Sequence, residues 1–146
     1  MGIEGKREAP PKKIEVMLGA PEDVADIQEV FRQTWLATYP NEELGILAED
    51  IEDRYKNSQD PEVMEKRAET LRNPLEGEFR LVAKEGGKVV GVAFGSSNEQ
   101  ANRLNALYVL PEYQRKGVGQ ALWSEAKKRF EDDKDVTLGV ADYNQN

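Results

Sequence analysis

The chain has 146 residues and a formal net charge of −8, and it contains neither cysteine nor histidine. This length suits one domain with a single core. The acidic balance argues against a nucleic-acid binder, which needs a basic face. The missing residue types exclude disulfides, thiolate metal sites and the commonest general base. No apolar run reaches the roughly 20 residues of a membrane span, so we expect a cytoplasmic protein with no membrane partner and no metal.

Taken in order, the chain opens with a charged, proline-containing stretch, residues 1–13, that predicts a flexible tail. Residues 14–18 alternate between apolar and polar and predict the first strand. Pro21 suits the first position of a helix. Pro40 ends that helix, because the residue before a proline leaves helical space. The helix carries an apolar stripe of Val24, Ile27, Phe31 and Trp35.

Residues 40–79 predict two further helices, the second opened by Asp60 as N-cap and Pro61 at the first helical position. The predicted buried stripe of the second helix is Met64, Ala68, Leu71 and Leu75. The segment holds twelve acidic and five basic residues, a balance of −7. The favoured interpretation is solvated helix faces. A field that attracts a cationic amine such as a polyamine stays open as the alternative.

Two strands, 79–85 and 88–96, follow with Gly86 and Gly87 between them, a typical two-residue hairpin signal. Residues 104–109 are apolar and predict a half-buried strand, which Pro111 ends because it has no N–H to donate. A helix is predicted from 118 to 130, and residues 136–140 predict a last strand. The helix stripe recurs every four residues and comprises Val118, Leu122, Ala126 and Phe130.

The loop between that strand and that helix contains Gly117 and Gly119, where the backbone can turn sharply and a ligand can approach closely. The first turn of a helix has unpaired N–H groups and partial positive charge, which suits a phosphate. Arg115 and Lys116 add full charge. A tight connection that binds nothing stays open. A Walker loop is excluded because Gln120 follows the last glycine, and a dinucleotide fingerprint lacks its third glycine.

Gln114-x-x-Gly117-x-Gly119, preceded by Leu107-Tyr108-Val109-x-Pro111-x-Tyr113, resembles the signature of the GNAT family of CoA-dependent N-acyltransferases. The resemblance spans about residues 80 to 146. It implies an α/β (α+β) fold with a mixed, mostly antiparallel central sheet flanked by helices, in a single domain over 14–146. The family's C-terminal helix and hairpin do not follow, so we expect an incomplete domain. Its exposed sheet edge would favour homodimerisation by strand pairing.

The resemblance further implies acetyl-CoA as co-substrate and an amine as acceptor, whether a small amine, a polyamine or a protein N-terminus. A non-catalytic acyl-CoA-binding or regulatory module is the alternative. Trp35 and Tyr39 would line the acceptor pocket, although large aromatic side chains at a helix end more often fill the core. No catalytic acid or base is assigned. The residues that the resemblance assigns to the cofactor are Leu107, Tyr108, Val109, Gln114, Arg115, Lys116, Gly117, Val118, Gly119, Gln120 and Asn144.

Overall fold

The centre of the molecule is a five-stranded sheet with its strands in sequence order. The computed structural model describes residues 13–38, 45, 47–130 and 135–138. β1 to β4 pair antiparallel, and β5 lies parallel to β4. The mixed, mostly antiparallel sheet predicted from the sequence is therefore confirmed. The strands are β1 Ile14–Leu18, β2 Glu78–Glu85, β3 Lys88–Ser97, β4 Asn102–Val109 and β5 Val136–Leu138.

Helices cover both faces of the sheet. On one face α1 (Val24–Thr38) lies against the strands, and α2 (Ala48–Ser58) and α3 (Pro61–Arg72) pack against α1. On the other face α4 (Val118–Lys127) packs so closely that a β-carbon on Gly91 would lie 3.0 Å from Leu122. Burial from both sides explains why β2 and β3 carry apolar residues almost continuously instead of alternating. No helix within the described ranges is long and apolar enough to cross a bilayer.

Two local predictions are confirmed at the atomic level. The Asp60 carboxylate accepts a hydrogen bond of 2.8 Å from the Glu62 N–H, as an N-cap residue should. Gly86 and Gly87 both have positive φ, 60° and 87°, in the turn between β2 and β3. Such values at both central positions are the geometry that favours glycine in a tight hairpin.

Two helix ends differ from the sequence prediction. α4 ends at Lys127 rather than at residue 130, because i→i+3 hydrogen bonds of Lys128, Arg129 and Phe130 tighten the chain into a turn. Phe130 is still buried, with its ring 5.5 Å from that of Phe79. Leu75 is 71% exposed, since α3 ends before it. The predicted last strand is seen only at residues 136–138, and its remainder and residues 1–12 of the tail lie outside the described residues.

An irregularity in β4 shapes one edge of the sheet. Phe94 of β3 pairs with Ala106, whereas the next residue, Gly95, pairs with Leu104, so Asn105 is an extra residue in β4. Such a bulge bends a strand and increases its twist. β5 pairs with residues 102–104 only, among the residues that the structure describes. Beyond the bulge, the outer edge of β4 therefore has no partner strand in this part of the chain.

Candidate active site

The loop that leads into α4 is open to solvent. Residues 114–117 form an exposed turn in which Arg115 and Gly117 both have left-handed backbone conformations, with φ of 66° and 85°. A β-carbon placed on Gly117 would meet no atom of the described residues within 4 Å. Left-handed residues in a turn direct backbone N–H groups into a shared concavity that binds anions. The space in front of Gly117 can accept a phosphate group.

The first turn of α4 faces this space with unpaired donors. The earliest N–H with an acceptor inside the helix is that of Ala121, which donates to the Gly117 carbonyl at 3.0 Å. The N–H groups of residues 118–120 precede it and have no intrahelical acceptor. Val118 and Leu122 are buried and hold this end of α4 on the sheet. Exposed Arg115 and Lys116 add positive charge to the helix dipole, so the loop and the helix form a positive site.

The outer edge of β4 begins next to this positive site. The Leu110 N–H donates to the Val90 carbonyl of β3 at 2.9 Å. Because hydrogen-bonded and non-hydrogen-bonded pairs alternate along an antiparallel ladder, the N–H and C=O groups of Leu107 and Val109 point away from β3. The side-chain amide of Gln114 donates to the outward Val109 carbonyl at 3.1 Å. Gln114 therefore ties the loop to the strand edge.

The predicted cofactor residues thus fall into three groups. Leu107, Val109 and the residues from 114 to 120 share one continuous region. Tyr108 lies apart from them, because its side chain is buried on the α1 face, where its ring stands perpendicular to that of Phe31 at 5.1 Å. Its backbone belongs to the ladder with β3. Asn144 lies outside the described residues.

A cavity of about 440 Å³ opens on the opposite face of the sheet, between α1, α2, α3 and strands β2 and β3. Trp35 lies in its wall, edge-on to Phe31 at 6.5 Å and beneath the guanidinium of Arg54 at 5.1 Å. The indole also packs against the core, so Trp35 is both a core residue and part of the cavity wall. Its role in an acceptor pocket stays a prediction. Tyr39 lies outside the described residues.

The sequence prediction did not include the cavity's other walls. Arg54, Tyr55 and Arg67 come from α2 and α3, and the chain folds across α1 to bring them opposite Trp35. The local sequence of α2 and α3 shows only polar residues at helical spacing. Such spacing is the same for a solvated helix face and for a cavity wall, so it does not predict the cavity. Burial raises the pKa of the Tyr55 phenol, and the Glu29 carboxylate, which accepts its hydrogen bond, raises it further.

The acidic segment between residues 40 and 79 is mainly a solvent-facing surface. Its described carboxylates outside the cavity wall include the exposed Glu49, Asp53, Glu62 and Glu65. The Glu65 and Glu69 carboxylates pair with Arg72 along the outside of α3. The favoured interpretation, solvated helix faces, therefore fits the described part of this segment.

Comparison with known proteins places this geometry in context. A family model described as an acetyltransferase (GNAT) domain matches residues 36–145. A search of the curated proteins finds no match.

Several solved structures are similar. The PaiA N-acetyltransferase of Thermoplasma acidophilum, solved in complex with coenzyme A, is 26% identical, with a TM-score of 0.64 over 80% of this chain and 70% of that one. A GCN5-related N-acetyltransferase of Ralstonia eutropha is 18% identical, with a TM-score of 0.59 over 91% and 87% of the two chains. A GNAT-family acetyltransferase of Brucella melitensis, in complex with acetyl-CoA, is 20% identical, with a TM-score of 0.54 over 81% and 68%.

Proposed function

This chain belongs to the acetyltransferase (GNAT) domain family, whose co-substrate is acetyl-CoA, and on that premise we propose that it acetylates the amino group of a small acceptor bound in the cavity beside Trp35. The observation that carries the proposal is the open space at Gly117, where a β-carbon would meet nothing within 4 Å in the described residues. The space adjoins both the donors of α4 and the outer edge of β4.

The diphosphate of CoA would bind the N–H groups at the start of α4, with Arg115 and Lys116 contributing charge. From there the pantetheine arm would follow the edge of β4, where Leu107 and Val109 present N–H and C=O groups as a partner strand would require. In this arrangement Gln114 is a positioning residue rather than a phosphate ligand, because its amide already donates to the Val109 carbonyl.

The acceptor would approach from the other face. Phe31 separates the cavity from β4, since its ring contacts Phe94 at 5.5 Å and Tyr108 at 5.1 Å. Phe94 pairs with Ala106, next to the bulge at Asn105. The cavity and the positive loop therefore lie on opposite faces of the sheet, and Phe31 lies between the cavity and the part of β4 that has no partner strand among the described residues.

The chemistry is direct transfer. A neutral amine attacks the thioester carbonyl carbon, the C–N bond forms, the C–S bond breaks, and the amine proton passes through water to the departing thiolate. An outward N–H of β4 would polarise the carbonyl as negative charge develops on its oxygen. The products are an acetylated amine and CoA with a free thiol.

The first test is calorimetric titration of the protein with acetyl-CoA, together with thiol release in the presence of a panel of amines. We expect binding and turnover. The double variant Arg115→Gln/Lys116→Gln should bind about tenfold or more weakly, since each charge-assisted contact contributes ~1.5–3 kcal/mol. The control Lys127→Gln/Lys128→Gln removes the same charge from the other end of α4 and should bind as the wild type does.

The outcomes separate the alternatives. Binding without thiol release from any amine would favour a non-catalytic acyl-CoA-binding module. If the two double variants lose affinity equally, the positive loop is not the binding site. Absence of acetyl-CoA binding in the folded wild-type protein would contradict the proposal altogether.

A further inference from the structure

The charged residues that line the cavity are all basic. Its walls include Arg32, Arg54, Arg67 and Arg80, and no Asp or Glu among the described residues lines it. This is unexpected in a chain with a net charge of −8. Arg32 and Arg80 are half-buried, whereas Arg54 and Arg67 are largely exposed and border the cavity where it opens to solvent. The sign of charge on the cavity lining therefore opposes that of the molecule.

Two of the four guanidinium groups are already neutralised. Arg32 pairs with Glu29 at 3.2 Å and with Glu52 at 3.0 Å, and Arg80 lies 3.4 Å from Glu78. Arg54 and Arg67 differ, because neither forms an ion pair with any carboxylate in the described ranges. The cavity therefore retains positive charge on the side formed by α2 and α3.

Arg54 is also held in place. Its guanidinium carbon lies 5.1 Å from the centre of the Trp35 ring, an arrangement in which the cation is attracted to the face of the indole. A guanidinium bound by its face keeps the N–H donors along its edge for hydrogen bonds, and these match the two oxygens of a carboxylate. A planar anion is therefore the natural partner of Arg54, whereas a second ammonium group would be repelled.

Next to these cations the cavity is aromatic, with the rings of Phe31, Trp35, Tyr55 and Phe94 in its walls. Such walls bind apolar groups, while a few charged side chains fix the ligand's orientation. Phe31 and Phe94 lie toward β4 and Arg54 and Arg67 lie away from it, because the latter belong to α2 and α3. A bound acceptor would thus direct one end to β4 and its anionic end to the arginines.

We propose that the acceptor is an amine that also carries a carboxylate, as an aromatic or apolar amino acid or a short peptide does, and that Arg54 and Arg67 bind that carboxylate. The inference rests on the proposed function for the identity of the reacting amine. The recognition of the carboxylate rests on the cavity alone. It disfavours polyamines, whose additional ammonium groups would lie against two unpaired arginines.

The test uses matched ligands that differ only in the carboxylate: L-phenylalanine and phenethylamine, with spermidine as a polycation. Calorimetry without acetyl-CoA measures binding to the cavity directly, and thiol release with acetyl-CoA measures kcat/KM for each amine. We expect L-phenylalanine to exceed phenethylamine by about tenfold or more in both measurements, as expected for a charge-assisted carboxylate contact. Spermidine should be the poorest of the three.

The variants locate the effect. Arg54→Gln and Arg67→Gln should each reduce the preference for L-phenylalanine several-fold while leaving phenethylamine unchanged, and Arg54→Lys should recover part of it. The controls Lys56→Gln and Lys66→Gln remove the same charge from exposed residues of α2 and α3 that do not line the cavity, and they should retain the full preference. Thermal unfolding of each variant checks that it is folded.

If phenethylamine or spermidine binds as strongly as L-phenylalanine or more strongly, the inference is overturned, while the proposed acetyl transfer is unaffected. A preference for L-phenylalanine that survives in both arginine variants would also overturn it. Carboxylate-dependent binding without turnover of any amine would support the inference and contradict the proposed enzyme activity, so the two failures are distinguishable.

Discussion

At the scale of single residues, the candidate site depends on two neighbouring left-handed conformations, one of them at an arginine. Arg115 has a φ of 66°, a region that costs a residue with a β-carbon about 1–2 kcal/mol. Such outliers persist where the surrounding structure holds them, and they concentrate at functional sites. Here the left-handed residue is Arg115, a cationic residue in the turn beside the open space at Gly117. A role in anion binding would explain why this strained conformation is kept.

The variant Gly117→Ala tests the backbone side of this site. Because Gly117 has a φ of 85°, any side chain there strains the turn, and we expect a loss of about 1–2 kcal/mol in the free energy of unfolding. The affinity for CoA should fall as well, since the new methyl group lies in the open space. Calorimetry and urea unfolding measure the two effects separately.

The matched control is Gly87→Ala in the β2–β3 hairpin. Gly87 has a φ of 87° and equally open surroundings among the described residues, so the cost in stability should be similar. Its affinity for CoA should stay at the wild-type value. An equal loss of affinity in both variants would mean that strain, and not occupation of the space, weakens binding.

Gly119→Ala should behave differently from Gly117→Ala. A β-carbon at 119 would point at Val109, 3.7 Å from its methyl group, which is an ordinary packing distance. Alanine also favours the helix over glycine by up to about 1 kcal/mol. We expect equal or greater thermal stability and unchanged CoA affinity. A marked loss of affinity would show that the phosphates approach closer to Gly119 than its surroundings indicate.

At the scale of elements, the features set by neighbouring residues were predictable. The Gly86-Gly87 turn, the Asp60 cap and the Pro21 start each depend on a few consecutive residues, and the structure has all three. The strand-to-helix loop was predictable for the same reason, because glycine spacing and charge are local.

Features that depend on distant residues were not predictable from periodicity. The bulge at Asn105 arises from the register between β3 and β4. Gly95 of β3 lies at this point, where a β-carbon would come within 2.6 Å of the Arg103 carbonyl oxygen, but a strand glycine alone does not specify a bulge. Leu75 continues the apolar spacing of α3 but lies beyond the end of the helix. Helical spacing predicts a shared face only within a helix, so it does not predict burial of Leu75. Arg54 and Arg67 are exposed, as expected of charges on solvated helix faces. Their place at the cavity was not predictable, because it depends on the packing of α2 and α3 across α1.

The contact between α1 and α2 should make stability depend on alkaline pH. The pKa of Tyr55 is raised above its ordinary value of 10.0 by burial and then by Glu29. Above pH 10 the unfolded chain releases this proton before the folded protein does, so the folded state loses stability as pH rises further. Below pH 10 both states keep the proton, and this group adds no pH dependence.

Urea unfolding between pH 8 and 11 measures that dependence. Tyr55→Phe removes the titrating phenol and should give a shallower decline above pH 10 than the wild type. All other ionisable side chains are the same in the two proteins, so their contribution cancels in the comparison. Parallel declines would show that the Tyr55 proton is released equally readily in the folded and unfolded states.

At the scale of the whole molecule, the sheet separates the cavity from the proposed CoA site at the start of α4, and CoA should protect only the latter from hydrogen exchange. CoA at one hundred times its dissociation constant stabilises a protein by about 2.7 kcal/mol. We expect slower hydrogen exchange at the amides of Leu107 and Val109 and in the first turn of α4. Exchange in β1 and α3 should change little beyond the overall stabilisation.

Hydrogen exchange followed by mass spectrometry, with and without CoA, gives this comparison in one experiment. The variant Gly117→Ala should show the same exchange pattern without ligand and much less protection at equal CoA concentration. Protection confined to α3 and the cavity would place the nucleotide on the wrong face of the sheet and contradict the proposed arrangement.

The two tryptophans of the chain lie in opposite layers. Trp35 lies in the cavity wall beneath Arg54, whereas Trp123 lies on α4, 6.4 Å from the ring of Phe130. Replacing Trp123 with phenylalanine would leave one indole emitter, located where the acceptor is expected to bind. The protein thus contains its own fluorescent probe, with which occupancy of the cavity can be followed in real time without a label.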